Sequence, residues 1–460
     1  MKHGFARTMG FLMAAALLLA MVLPAQAATT GKSGRFSYSM KGNGTLKITA
    51  FDWDGYEDDT DIVIPQMIDG FTVTEIGSLA FSQGDMDYER IELPYAQKDA
   101  ENATLIIPNT VTSVGDKAFF NSSIGIVNIP ASVESIGVAA FCTMKLKRVT
   151  VDSANKNYAS IDGSLYCKKD RELLALGKET SKVPDGIISL GEFSCTTRNA
   201  YASIWIEKIL PCSTIETIKE FALFDMRIFY QGEFLEADVW RYGYRLLDFL
   251  NVRTIGDYAF AKCRGEGDRG TSLRFSNRLE KLGKGCFYYT DGDWNYLMNE
   301  CTKLTQIPEK TFSTESIYGS DYISVYLPDT IEEIRDEAFK NAKLSVLRIN
   351  GTRLKSIGNG AFYNATINVW NKDDIYNKGY WTRLDSFLSN VESIGSEAFL
   401  EVDDIETVMI PESCVYIGDN AFDKVSVKLK VQPGSYAERW AQDNGYTYDN
   451  GIKADTSWLN

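Results

Sequence analysis

Chemistry at a protein site usually needs a histidine, a reactive cysteine, a metal-ligand cluster or a poised pair of carboxylates, and this chain is restrictive about all four. Its single histidine, His3, lies in the extreme N-terminal leader. The remaining chain has no imidazole, which excludes Ser-His-Asp and Cys-His nucleophilic catalysis and His-liganded zinc. Eight cysteines stand at 142, 167, 195, 212, 263, 286, 301 and 414, none of them as C-x-x-C. Zinc-ribbon and thioredoxin-type sites are therefore not encoded. Cys142, Cys263 and Cys286 sit beside the phenylalanine of a recurring motif, so the reading is packing thiols rather than disulfides.

Carboxylates are plentiful: 62 Asp and Glu against 48 Lys and Arg. Asp52, Asp54, Glu57, Asp58, Asp59 and Asp61 cluster, and Asp52-x-Asp54-Gly55 weakly resembles the start of a calcium loop. EF-hand spacing is not met. A two-carboxylate hydrolase is conceivable without histidine, but no spacing marks a pair. No glycine-rich phosphate loop opens a helix. The expectation is a non-enzymatic protein with no cofactor and no metal. Its acidity repels nucleic acid.

The elements that would position any site are set by a repeat. Ile76-Gly77-Ser78-Leu79-Ala80-Phe81 returns as Val114-Gly115 to Ala118-Phe119, Ile136-Gly137 to Ala140-Phe141, and Ile255-Gly256 to Ala259-Phe260. It then recurs as Ile357-Gly358 to Ala361-Phe362, Ile394-Gly395 to Ala398-Phe399, and Ile417-Gly418 to Ala421-Phe422, with looser copies ending at Phe287, Phe312 and Phe339. Each full unit also carries a short alternating strand ending in proline, such as Leu105/Ile107-Pro108, Val127/Ile129-Pro130 and Val325/Leu327-Pro328. Alternation turns one strand face into a core, and proline ends the ladder. Glycine is read as supplying an unusual backbone angle, alanine as allowing close approach, and phenylalanine as filling the space between coils. Neighbouring phenylalanines lie 22–27 residues apart in regular stretches, the period of a leucine-rich-repeat solenoid with one short strand per coil.

These residues resemble the BspA-like leucine-rich-repeat family, whose strand-then-Ile-Gly-x-x-Ala-Phe pattern spans about residues 36–450. Two further stretches fit. Asn155 to Tyr166 reads as a hairpin with an Asp162-Gly163 turn. Gly434 to Tyr446 reads as an amphipathic helix ended by Gly445. The resemblance implies an exported or cell-surface bacterial protein that binds other proteins, and it transfers no catalytic residue.

The expected fold is an α/β repeat solenoid rich in β, a leucine-rich-repeat horseshoe with an N-terminal β-hairpin cap and a C-terminal helical cap. Residues 1–27 read as a signal peptide: a basic start, a short apolar run from Phe11 to Leu23, and Ala25-Gln26-Ala27 at a cleavage point. Its removal takes the net charge from −14 to −16. No second apolar run offers a transmembrane span. Residues 28–61 form the N-terminal cap and 62–425 the solenoid, with insertions near 152–180, 196–254 and 363–393. Residues 426–460 form the C-terminal cap. The chain is expected at the cell surface or secreted.

Two surfaces are candidates for binding a protein partner or a glycan. The first is the outward side of the strand ladder, where alternation places Glu92, Asn128, Thr150, Arg274, Tyr326, Arg348, Asn368 and Met409. A curved solenoid offers this face as an extended surface. The second is the insertion aromatics Trp240, Tyr242, Tyr244, Trp370, Tyr376, Tyr380 and Trp381, since insertions project on one side of an array. Packing over degenerate coils is the competing role for those rings. The alternative functions are a structural cell-envelope protein without a specific ligand and a histidine-free carbohydrate-active enzyme.

Overall fold

The computed structural model describes residues 30–92, 100–196, 213–228, 245–265, 271–290, 294–315, 322–349, 353–367, 387–403 and 405–451. The expected signal peptide and most of the stretches 196–254 and 363–393 lie outside these residues. The chain is strand-rich, with a single regular helix, Tyr436–Asp443, among the described residues.

A full coil contains two short strands rather than one. The first is the proline-terminated strand. Copies stack in parallel as Ile62–Val63, Thr104–Ile106, Ile126–Ile129 and Arg148–Val151. They stack again as Arg245–Phe249, Thr271–Phe275, Trp294–Leu297, Ile323–Leu327, Lys343–Ile349 and Thr366–Ile367. We call these the long-strand ladder. The second strand is the two-residue piece ending in the isoleucine of the motif. It forms its own parallel ladder through Ser113–Val114 and Ser135–Ile136, through Ser189–Leu190, Thr217–Ile218 and Thr254–Ile255, and from Gln306–Ile307 to Tyr416–Ile417.

The motif packs between these ladders, and its parts work differently from the expectation. The repeated glycines do not adopt positive φ. A Cβ on Gly115 would stand 2.5 Å from the Ser78 nitrogen, and one on Gly358 would stand 2.5 Å from the Asp336 nitrogen. The glycine therefore lets neighbouring coils touch backbone to backbone. The left-handed residue is two positions later. Leu79, Lys117, Ala139, Phe193, Phe221, Tyr258, Gly285, Lys310, Glu337, Gly360, Glu397 and Asn420 all have φ between 50° and 58°. Side chains of every chemical type are accepted there, because cross-coil hydrogen bonds impose the angle. The N–H in the phenylalanine slot donates to the carbonyl in the alanine slot of the next coil, as in Phe81 to Ala118 (2.7 Å) and Phe339 to Ala361 (2.7 Å).

The phenylalanines stack as expected. Ring centroids are 4.7 Å apart for Phe81 and Phe119, 5.1 Å for Phe312 and Phe339, and 5.0 Å for Phe339 and Phe362. Two coils hidden in the sequence keep the same register without the ring. Leu190-Gly191 to Ser194-Cys195 places Cys195 in the phenylalanine slot, its N–H donating to Ala222 at 2.9 Å. Ile218-Lys219 to Ala222-Leu223 places Leu223 there, donating to Ala259 at 2.8 Å.

The buried apolar side chains divide into two large bodies, one running from Tyr38 to Ala175 and one from Tyr166 to Tyr446. The hairpin Tyr158–Ile161 and Ser164–Cys167 is the wall between them. Its turn is Asp162-Gly163, with φ of 49° and 82°. Opposite faces of its sheet serve opposite cores: Leu165 and Ala175 belong to the first, Tyr166 and Leu173 to the second. At the N-terminus, Phe36–Met40 and Thr45–Phe51 pair antiparallel as read from the sequence, with a further strand, Thr30–Ser33, outside them. The helix Tyr436–Asp443 begins at Ser435, which accepts from the Glu438 N–H, and buries Ala437, Trp440 and Ala441 against the last coil.

Candidate functional site

The outward face of the long-strand ladder is the site that the register assembles. Parallel pairing aligns Asp248, Arg274, Leu297, Tyr326 and Arg348 in one row across five adjacent strands. Three of the expected residues, Arg274, Tyr326 and Arg348, thus share a line, with Tyr326 and Arg348 on directly paired strands. Arg274 is held by a fork: Nε and Nη2 donate to the Asp248 carboxylate at 2.7 and 2.6 Å. A bidentate pair fixes the guanidinium plane, although an exposed pair adds little stability. One pleat repeat further along the same face, Ser272, Asn295 and Ser324 are buried, and the Asn295 Nδ2 has no hydrogen-bond partner among the described residues.

A second row belongs to the N-terminal coils. Val63, Ile106, Asn128 and Thr150 align and are exposed. It unites the expected Asn128 and Thr150 with two apolar neighbours. Met409 is exposed and pairs in register with Lys430, and Lys430 with Asp449, at the C-terminal end.

Glu92 is a correction. The sequence places it on a ladder strand, but it forms an isolated bridge with Asp87. Its carboxylate lies 3.8 Å from Lys262, beside the left-handed turns. The segment from Ser82 to Glu92 runs along the flank of the stack. There Tyr88 meets Phe221 edge-on at 5.9 Å and accepts a hydrogen bond from Lys117. Asn368 and the insertion aromatics Trp240, Tyr242, Tyr244, Trp370, Tyr376, Tyr380 and Trp381 lie outside the described residues. Of the other ring-rich stretches, Phe221, Phe224, Phe249, Trp294 and Tyr296 are all buried, so those rings pack.

The remaining chemistry is structural. Asp52 accepts from Lys32 at 2.6 Å, which holds its carboxyl below the usual range, and from the Asp54 N–H. Asp59 accepts from the Asn102 side-chain amide and backbone N–H, both at 2.8 Å, and Asp61 from the Thr104 N–H. These acids staple turns to the first coils. Among the described residues no three His, Cys, Asp or Glu side chains converge as metal ligands. The seven described cysteines are unpaired thiols. Burial pushes Cys195 and Cys301 up to about 12, so both stay protonated and unreactive.

One functional pattern escaped the sequence reading. The residue after the motif glycine often carries a side-chain oxygen. Asp116 accepts from the Val138 N–H at 2.9 Å, Asp257 from Lys284 at 2.9 Å, Asp336 from Asn359 at 2.8 Å, and Asn359 from Ser396 at 2.9 Å. Each oxygen pins the next coil. The acid at this slot was the available signal.

The architecture is that of a bacterial-type leucine-rich repeat protein, with two parallel ladders and a stacked phenylalanine spine. The family model of the BspA type leucine rich repeat region matches six copies over residues 94–173, 247–369 and 376–432, more than half of the chain, and the chain belongs to that family. Solved structures similar to it include a leucine-rich repeat protein of Eubacterium ventriosum, at 17% identity and TM-score 0.35, covering 86% of this chain and 95% of that one. A leucine-rich repeat protein of Bacteroides ovatus aligns at 16% identity and TM-score 0.34, covering 91% and 99%. A leucine rich cell surface protein of Faecalibacterium prausnitzii aligns at 14% identity and TM-score 0.33, covering 94% and 97%. No curated protein matches the chain. No helix among the described residues is long and apolar enough to cross a membrane.

Proposed function

We propose that this is an exported, non-catalytic binding module that acts at the cell surface or after secretion, and that it holds a protein partner on the outward face of the long-strand ladder. The observation that supports this reading is the row Arg274–Leu297–Tyr326–Arg348, brought into register by parallel pairing. Arginine and tyrosine are the residue types that dominate protein interfaces, because each combines a large flat contact with polar reach. Spaced one strand apart, about 4.8 Å, they form a continuous strip suited to an extended partner rather than to a small molecule. In this reading the array curves with that face inward, the N-terminal hairpin and the Tyr436–Asp443 helix serve as end caps, and the apolar leader directs export.

The test is capture from bacterial and host surface extracts by the chain from Ala28 onward, compared with the Tyr326→Ala/Arg348→Ala double variant. Interface hot spots of this kind are worth about 2 kcal/mol or more each. The double variant should therefore lose the partner while keeping its unfolding midpoint. Equal capture by both proteins would remove the ladder row from the function.

A further inference from the structure

The short-strand ladder is interrupted twice, once at the hairpin wall and once, with no inserted element of regular structure, between Lys281 and Gln306. In most coils the residue in the motif-glycine slot donates its N–H to the isoleucine-slot carbonyl of the coil before, as in Gly115 to Ile76 and Gly358 to Ile334. Pro308 occupies that slot after Ile307 and has no N–H to give. Among the described residues no backbone hydrogen bond joins 280–283 to 305–308. The coils are still bonded on the turn side, where Gly285 donates to Glu309 at 2.8 Å and Phe287 to Thr311 at 3.0 Å. The next coil also departs from glycine, carrying Arg335 in the slot. The result is a wedge that opens on the short-strand side while the long strands stay paired, and an open recess of about 500 Å³ occupies it.

The cavity lies within the volume range of ligand sites, about 300–1,000 Å³, but its walls are unlike the usual apolar lining. Its cations are Lys281, Lys284 and Arg335. Lys284 is matched by Glu309 at 2.8 Å and Arg335 by Glu333 at 3.3 Å. Asp257 spends one oxygen on the Lys284 N–H, and Asp336 spends both on Asn359, one on its N–H and one on its side-chain amide. The backbone of Lys281 bonds Arg253 and Ile255, but its ammonium has no hydrogen-bond or ion-pair partner among the described residues. Glu280 and Leu282 carbonyls and the Gln306 N–H lack the cross-coil partners that Thr305, Ile307 and Glu333 have one coil later. The recess thus offers one unspent cation surrounded by acceptors and a donor, with no aromatic ring.

We propose that this recess binds an acidic saccharide, its carboxylate on Lys281 and its hydroxyls on the carboxylates and open backbone groups of the wedge. Hydroxyls, which both donate and accept, suit walls that mix free carbonyls, carboxylates and an amide. Leu282 and Pro308 add apolar wall of the kind a sugar's C–H face can cover, without the aromatic ring. The site is separate from the long-strand face, so either assignment can fail alone.

The test is calorimetric titration of the chain from Ala28 onward with a uronic acid trisaccharide, the neutral trisaccharide of the same linkage, and triglutamate. The expected result is binding of the uronate only, weakened by salt and reduced about tenfold in Lys281→Met, the scale of one charge-assisted hydrogen bond. Tyr326→Ala should leave it unchanged. Pro308→Gly, which restores a donor and lets the coils close, should also reduce it. Absence of uronate binding, equal binding of the neutral sugar, stronger binding of triglutamate, or an unaffected Lys281→Met would each overturn the assignment.

Discussion

Glycine and the residue two places after it divide the labour of the turn. The glycine is needed for space, and the later residue carries the backbone strain. A left-handed angle costs a non-glycine residue about 1–2 kcal/mol, and the array accepts this because cross-coil hydrogen bonds hold the turn in place. The two positions should therefore respond in opposite directions. Gly115→Ala drives a methyl into the Ser78 backbone nitrogen and should lower stability by about 1–3 kcal/mol, the usual range for overpacking. Leu79→Gly, at an exposed residue with φ of 58°, should be neutral or stabilising by up to about 1 kcal/mol. Urea unfolding of the two variants checks both signs. The sequence made the glycine conspicuous but could not say which of its two properties was in use. The strained position was invisible because Lys, Phe, Glu, Ala and Asn all occur there.

At the scale of the element, the slot after the glycine forms a column that climbs the stack. Where it holds Asp or Asn, the side chain reaches the next N–H. Where it holds Glu192 and Glu220, in consecutive coils followed by Asp257, carboxylates stack on one another. Burial raises the carboxyl of Glu192, opposed by Lys117 and Lys219 and assisted by Asp116 and Glu172. Burial also raises Glu220, assisted by Glu192 and Asp257 and opposed by Lys117. A carboxyl whose folded pKa lies above its unfolded value stabilises the fold below the unfolded pKa and loses that contribution as pH rises through the folded one. The Glu192→Gln/Glu220→Gln protein should then be more stable than the parent at pH 7 and indistinguishable from it near pH 4, by thermal unfolding across that range. The ladders were legible from alternation and proline. The two coils ending in Cys195 and Leu223 were less so, because their slots are filled by residues that pack without matching the motif. The row Arg274–Tyr326–Arg348 followed from counting alternate positions. Glu92 failed because alternation at Ile91 and Leu93 imitates a ladder strand, whereas residues 82–92 pack along the flank.

At the scale of the whole molecule, the hairpin wall separates two cores, and a third cluster rejoins them. Met86, Ile91, Phe120, Ala139 and Cys142 from the first half pack with Phe193, Phe221, Phe224 and Ala261 from the second. Phe193 and Phe221 stack at 4.7 Å, and Phe120 meets Phe193 at 4.9 Å. Repeat arrays unfold as one only while the interfaces between neighbouring units are strong. Phe193→Ala/Phe221→Ala removes two buried rings, each worth about 3–5 kcal/mol, from the bridging cluster. Hydrogen exchange should then show residues 38–151 and 245–446 opening at different denaturant concentrations, where the parent opens both together. Coincident opening in the variant would mean that the wall alone couples the halves.

The wedge at Pro308 has a mechanical meaning as well. A protein pulled along its axis is limited by its weakest junction, and here one coil boundary is fastened along its turns and its long strands but not along its short strands. With one of its seams missing, this boundary sets fewer hydrogen bonds against tension than its fully paired neighbours. If the ends are tethered, this boundary is expected to yield before its fully paired neighbours, and Pro308→Gly should raise the force at which it does so in single-molecule pulling.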